Sequence, residues 1–344
     1  MANIRWLLWP LGLIFWSLAA LRSWLYQWGV FRTHKLSKPV LSVGNLSTGG
    51  TGKTPWVELL TQTLQSQSKK VVLLSRGYSG DFDGVLKVTD DMDPRKCGDE
   101  PLWLHKKTGV PVYVGRKRWE AGSKALQQEN PDLFILDDAF QHQKLVRDVN
   151  LVLLDASVPR WHYQPLPVGY LREGFGALKR ADWVILNKCN FASKEDLLWL
   201  KSKVEKIISS KRLLLSDFCF AQWKPLVTEL AEEEPPKESL AVSCGIGNPH
   251  AFKKTLELLK MKINMEFIFP DHYFWKPDDI ERMTFRMKQE RCRHLMITEK
   301  DAIKLARYRK HFFEMGIQVW VCEMKVKIHD KETEFWQHLS EVLQ

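Results

Sequence analysis

Apolar residues follow two rhythms along the chain. Short apolar runs at 40–43, 71–74, 111–114, 133–136, 151–154, 183–186, 240–243, 267–269 and 295–297 are bounded mostly by small or polar residues. That is the pattern of strands buried on both faces. Between them, 54–65 carries Val57, Leu59, Leu60 and Leu64 at helical spacing, and 102–107 and 252–259 also read as helices. Strands alternating with helices predict an α/β fold built on a parallel sheet.

A third pattern stands at the start. Residues 6–21, WLLWPLGLIFWSLAAL, are uncharged and apolar on every face. As a helix this stretch is about 24 Å long at ~1.5 Å per residue, short of the ~30 Å hydrocarbon core of a bilayer. Beyond it, Trp24, Tyr26, Trp28 and Phe31 lie among Arg22, Arg32 and Lys35, a mixture suited to the headgroup region. The expectation is an N-terminal helix seated on a membrane surface. The competing readings are a cleaved signal peptide and a helix buried inside the fold. At the other end of the fold, 231–239 (AEEEPPKES) reads as a linker, so a second, smaller α/β domain is expected after it.

Chemistry concentrates at 39–55, PVLSVGNLSTGGTGKTP. A buried strand runs into a glycine-rich loop, Ser47-Thr48-Gly49-Gly50-Thr51-Gly52, and Lys53-Thr54 opens a helix. Backbone N–H groups at such a helix start point at phosphate oxygens, the lysine neutralises the outer phosphates, and the threonine hydroxyl can hold magnesium. Ser47 stands where the usual pattern has glycine. Gly49 and Gly50 restore freedom within the loop. The second strong signal is 132–142, DLFILDDAFQH, where a buried strand ends in Asp137-Asp138. Carboxylates at a strand end beside a phosphate loop suit the magnesium shell.

Other candidates are weaker taken singly. Arg76 and Tyr78 follow a strand at a sheet's carboxyl end, where ligands bind, although a surface turn reads equally well. Asp99 and Glu100 precede Pro101, and local sequence alone favours one of them as a helix cap. Arg116 opens a basic cluster at a helix start, hinting at an anion. Arg172 and Glu173 lie in a long Pro- and Gly-bearing loop, and His272 follows Asp271 at a strand end, where a structural role is the default. Asn187-Lys188 shares two positions with the guanine-reading N-K-x-D pattern, but Asn190 replaces its aspartate. Thr298 and Asp301 have the spacing of a capping box variant.

Composition narrows the partners. The net charge is +10 with pI near 9.2, and no Asp or Glu occurs before Glu58, whereas Arg5, Arg22, Arg32, Lys35, Lys38 and Lys53 do. Positive charge thus gathers beside the apolar N-terminal helix and away from any nucleic-acid reader motif, so nucleic acid is not expected as a partner. Six scattered cysteines without a C-x-x-C pair fit a reducing compartment.

Together, SVGNLSTGGTGKTP, LSRGY, GDEP, DDAFQH, PVGYLRE, GIGNP, FPDHYFW and TEKDA, in this order, resemble the tetraacyldisaccharide 4'-kinase family, the lipid A 4'-kinases of Gram-negative bacteria. Ala139 and the Gly174-Phe175-Gly176 stretch depart from the common pattern. The resemblance implies a P-loop nucleoside triphosphate hydrolase-like fold with three parts: a membrane-associated segment at 1–35, a P-loop kinase domain at 36–225 and a C-terminal α/β domain at 226–344. It implies ATP and Mg2+ as cofactors, and an acylated disaccharide lipid as substrate at the cytoplasmic face of the bacterial inner membrane. Carried over by residue, Asp99 becomes the general base with His272 as its partner. Thr54, Glu100, Asp137 and Asp138 become magnesium candidates, Lys53 bridges the outer phosphates, and Arg76, Tyr78, Arg116 and Arg172 meet lipid phosphate or ATP charge. The rival classes are a membrane-bound GTPase or ATPase switch, motivated by Asn187-Lys188, and a non-enzymatic scaffold that merely holds nucleotide.

Overall fold

The computed structural model describes residues 6–230 and 233–343. Arg5 and the first two residues of the linker at 231–239 lie outside the described residues.

Twelve strands among the described residues form one sheet. They are β1 (Val40–Asn45), β2 (Val71–Ser75), β3 (Val85–Lys87), β4 (Val112–Gly115), β5 (Leu133–Asp137), β6 (Val149–Asp155), β7 (Trp183–Asn187), β8 (Leu213–Pro225), β9 (Leu240–Cys244), β10 (Ile263–Ile268), β11 (His294–Thr298) and β12 (Gln318–Ile328). Their order is β10-β9-β11-β12-β8-β7-β6-β1-β5-β2-β4-β3. β1 lies between β5 and β6 and pairs with both in parallel. Every residue of β1, β2 and β5 is buried, as the unbroken apolar runs require.

Two parallel stretches of sheet meet at an antiparallel seam. β8 pairs with β7 through its first residues in parallel and with β12 along most of its length antiparallel. β8 and β12 carry outward polar residues such as Gln222, Glu323 and Lys325, so neither shows an unbroken apolar run along its length. β10 begins at Ile263, ahead of the expected 267, because it is a half-buried edge strand whose inward side chain is Met265.

β8 ends at Pro225, where the division is expected, and pairs with β12 from the far side of it, so one sheet runs through both parts. Beyond β12 the last helix, Glu332–Val342, turns back and inserts Phe335 and Leu339 into the core around Trp56, Leu41 and Ile185. Phe335 stands edge-on to both Trp56 and Trp183, with ring centroids 6.0 and 5.3 Å apart. Burying such a ring contributes about 1.5–3 kcal/mol, so this helix clamps the seam.

The N-terminal apolar stretch is a 3-10 turn, Trp6–Leu8, followed by a helix Trp9–Gln27, longer than the apolar run alone suggested. Only Gly12 and Ser23 are buried along it. Gly12 lies against Pro165, and Trp16 packs beside Gly174. Leu11, Ile14, Leu18 and Leu21 are each at least half exposed, which removes the reading of a helix buried within the fold. No described helix is long and apolar enough to cross a membrane.

Candidate active site

The phosphate loop occupies the turn from β1 to the helix Lys53–Ser66. Gly49 and Gly52 take φ of +103° and +87°, which a side chain would oppose. A Cβ on Gly52 would also collide with the Asn187 amide. The loop is braced from behind. Asn187 Nδ2 donates to Thr51 O at 2.9 Å, and Lys188 Nζ donates to Gly50 O at 2.6 Å while pairing with Asp155 Oδ2 at 2.5 Å. Asn45 Nδ2 donates to Thr51 Oγ1 at 3.1 Å, and Thr48 N donates to Tyr170 O at 2.8 Å. Asn187 and Lys188 therefore support the loop. Asn190, at the position where a guanine reader carries aspartate, spends its amide on the backbone of Phe218 in both directions.

Asp137 closes β5 and Asp138 follows it at φ +47°. Asp138 Oδ1 lies 3.4 Å from Lys53 Nζ and 3.4 Å from Arg172 Nη1. Burial works against ionising Asp138, but Lys53, Arg172 and Arg118 override it and bring its carboxyl down to about 2. Asp137 is in the opposite position. It is buried, its Oδ1 has no hydrogen-bond partner, and burial with Glu100 and Asp138 nearby pushes it up to about 7. Among the described residues no three Asp, Glu, His or Cys side chains come together closely enough to hold a metal ion by themselves. A partnerless buried carboxylate oxygen such as Asp137 Oδ1 suits magnesium, which takes one or two carboxylates and fills its remaining positions with phosphate oxygens and water.

Asp99 does not cap its helix. It is the first residue of Asp99–Thr108, after Gly98 at φ +93°, and is 1% exposed. His272, 173 positions away, sets its Nδ1 2.9 Å from Asp99 Oδ1. Burial alone would raise the Asp99 carboxyl. The His272 hydrogen bond and the charges of Lys300, His272 and Lys304 more than offset it and hold it well below the usual range. His272 adopts φ +59°, rare for a side-chain-bearing residue, and its backbone N–H donates to Asp271 Oδ1 at 3.0 Å. Glu100 Oε1 meets Lys300 Nζ at 3.1 Å.

These groups border two adjoining cavities. The larger, about 660 Å³, runs between the loop residues Gly49, Gly50, Lys53 and Thr54 and the side of the sheet that carries His272 and Lys300. The smaller, about 280 Å³, is lined by Arg76, Asp99 and Asp137, and shares Tyr78, Glu100, Asp138 and Arg172 with the larger. Tyr78 leans on His272 with ring centroids 5.2 Å apart. Arg116 is exposed and lines neither cavity. The buried member of its cluster is Arg118, 4% exposed, whose Nη2 donates to Asp138 O at 3.3 Å. Sequence reading did not single out Arg118 or Lys304, and it noted Lys188 only for its likeness to a guanine reader, not as a brace of the loop. Arg118 lay in a stretch already marked as basic.

A phosphate loop, a group of carboxylates at the adjacent strand end and a carboxylate–histidine pair across the cleft define the class: a P-loop phosphotransferase. The sequence model of the family described as tetraacyldisaccharide-1-P 4'-kinase, LpxK, matches residues 4–344, and the chain belongs to that family. The tetraacyldisaccharide 4'-kinase of Bdellovibrio bacteriovorus is 32% identical over 339 residues, covering 97% of this chain and 98% of that one. That of Geobacter metallireducens is 36% identical over 300 residues, covering 83% and 84%. The crystal structure of LpxK from Aquifex aeolicus in complex with ATP matches with a TM-score of 0.76 at 30% identity, covering 99% of this chain and 100% of that one.

Proposed function

We propose that this chain transfers the γ-phosphoryl group of ATP to the 4'-hydroxyl of a tetraacylated glucosamine disaccharide 1-phosphate, a late step of lipid A biosynthesis. The observation that carries the reading is the meeting of a braced phosphate loop with the Asp99–His272 pair at two adjoining cavities. Residues 36–225 are the nucleotide lobe, and 226–344 supply His272 and the far wall of the cleft.

Phosphoryl transfer depends mainly on positioning and charge neutralisation. The loop N–H groups and Lys53 hold the outer phosphates. Asp99 and His272 together take the proton of the sugar hydroxyl as its oxygen attacks phosphorus and the bond from phosphorus to the leaving ADP oxygen breaks. Arg172 and Arg76 offset anionic charge on nucleotide and lipid, and Tyr78 keeps His272 in place. Thr54, Glu100, Asp137 and Asp138 would hold magnesium, and the partnerless Asp137 oxygen supports that fit. Bound there, the ion would supply charge neutralisation at the phosphate oxygens.

Residues 1–35 seat the enzyme on the cytoplasmic face of the bacterial inner membrane. What supports this is the row of open apolar side chains on Trp9–Gln27, flanked by Arg22, Arg32 and Lys35. A helix apolar all round and too short to span a bilayer removes its open side from water by sinking it among acyl chains at the surface, with its basic and aromatic residues at the headgroups. The acylated substrate then reaches the cleft without leaving the bilayer surface.

The test is transfer of labelled γ-phosphate from ATP to the tetraacylated disaccharide 1-phosphate in detergent micelles. Wild-type protein labels the lipid. Nucleotide hydrolysis without lipid labelling would make the switch-type hydrolase the better reading. For the membrane seat, Ile14→Asp with Leu18→Asp is expected to lose most sedimentation with anionic lipid vesicles; undiminished sedimentation would remove it.

A further inference from the structure

The segment Thr298-Glu299-Lys300-Asp301-Ala302 reads from sequence as a helix start, and Thr298 does cap the helix Glu299–Leu305, its Oγ1 accepting from Asp301 N at 3.3 Å. Capping leaves two lysines of this helix without a reason. Lys300 and Lys304, four positions apart, lie on one face. Each meets a different end of the Asp99–His272 pair.

Lys304 holds the buried end. It is 1% exposed, and its Nζ lies 3.4 Å from Asp99 Oδ2 and 3.3 Å from Asp301 Oδ1. The ammonium also sits 5.2 Å from the centre of the Trp275 ring. Burying a lysine this fully is costly unless its charge is matched. Asp301 anchors it to the second lobe, because Asp301 Oδ2 is itself held by Gly245 N at 3.2 Å and Thr298 Oγ1 at 2.7 Å. Lys304 lines neither cavity, so it reaches the chemistry only through Asp99.

Lys300 holds the open end. Its Nζ is 3.2 Å from His272 Nε2, 3.1 Å from Glu100 Oε1 and 3.3 Å from Asp271 Oδ1. An ammonium only donates, so a neutral His272 accepts at Nε2 and carries its ring proton on Nδ1. That proton points at Asp99 Oδ1, 2.9 Å away. His272 Nδ1–H reaches both oxygens of Asp99, Oδ2 at 3.2 Å as well as Oδ1; Oδ1 also receives Glu100 N at 3.0 Å, and Oδ2 faces Lys304 at 3.4 Å.

We infer that Lys304 is a positioning residue for phosphoryl transfer, fixing Asp99 from its buried side so that the carboxylate and His272 keep one shared geometry, while Lys300 selects the histidine tautomer. The inference rests on the reading of Asp99 and His272 as the proton acceptor for the lipid hydroxyl. It adds that a two-lysine helix of the second lobe sets the pair.

Steady-state transfer kinetics and thermal melting of Lys304→Met, of Lys304→Met combined with Asp301→Asn, and of Lys304→Met in an Asp99→Ala background test it. Lys304→Met is expected to lower kcat by roughly 10- to 100-fold, as misplacement of a reacting group does, with the KM for ATP within about twofold of wild type on the same argument. The combined variant leaves no unmatched charge at 301 and is expected to regain the lost melting temperature while kcat stays low. In the Asp99→Ala background, Lys304→Met is expected to change nothing further. Recovery of kcat together with melting temperature would overturn the inference, since Lys304 would then only neutralise Asp301. An unchanged kcat in Lys304→Met would overturn it directly. If instead wild type never labels the lipid, or Asp99→Ala keeps full activity, the underlying reading has failed and the positioning role falls with it.

Discussion

The two walls of the cleft are built in opposite ways. The phosphate-loop wall comes from one continuous segment, 47–54, whose geometry follows from glycines at positive φ and from the start of a helix. The facing wall is assembled from Asp99 and His272, with Lys304 behind Asp99; the three lie on separate elements and meet only because the sheet continues through its antiparallel seam. The first wall is suited to grip any nucleoside triphosphate tail. The second, with its buried and paired charges, is suited to a single acceptor hydroxyl. Generic binding is cheap to encode locally, whereas an oriented buried proton acceptor needs long-range packing.

The largest expected effect separates the walls kinetically. Lys53→Ala is expected to lower kcat by about 10²–10³-fold, the scale for removing one charge-stabilising donor, and to raise the KM for ATP as well. Asp99→Ala is expected to lower kcat by about 10²–10⁴-fold, the range of general base catalysis, with the KM for ATP held. Steady-state kinetics on both variants checks this. A matching rise in the KM for ATP in Asp99→Ala would break the distinction.

A change behind the loop sharpens the comparison on the stability axis. Lys188 is 3% exposed and joins Gly50 O to Asp155. Lys188→Met strands a buried carboxylate and is expected to cost about 3–5 kcal/mol by denaturant unfolding, together with weaker nucleotide binding by calorimetry. Loss of nucleotide binding without loss of stability would show that the loop wall is less dependent on its support than the hydrogen bonds suggest.

The smallest effect concerns the point where the walls are tied together. Lys107 Nζ reaches Glu299 at 2.7 Å and Glu323 at 2.9 Å across the cleft, with Glu58 of the helix that begins at Lys53 3.9 Å away. Burial first, then Glu299 and Glu323, push Glu58 from 4.5 to about 7 despite Lys107. The unfolded chain releases this proton near 4.5 while the folded one keeps it to about 7, so stability from this group is complete below 4.5 and is lost as pH rises through 7. Glu58→Gln is expected to flatten that slope by about 1–2 kcal/mol after allowance for solvent screening. Denaturant midpoints across this window provide the check, and an unchanged slope would assign the pH response to another group.

By itself the sequence determined the alternating α/β pattern, the phosphate loop at 47–54, the acidic strand end at Asp137-Asp138 and the apolar N-terminal helix. Each is encoded within a few turns of chain, by hydrophobic period, glycine placement or charge at a strand end. Only the ordered motifs, taken as a family resemblance, joined Asp99 to His272; locally one read as a cap and the other as structural. The tertiary structure decided that Lys188 braces the loop, that Arg118 and not Arg116 is the buried arginine, that the last helix returns to the core at Trp56, and that Lys304 stands behind Asp99. The physical reason is common to all four. A charge is tolerated in the interior only where an opposite charge or polar group from a distant segment meets it, and a ring contributes to a core only where that core has a gap for it, so neither can be read from a side chain's own neighbours in sequence.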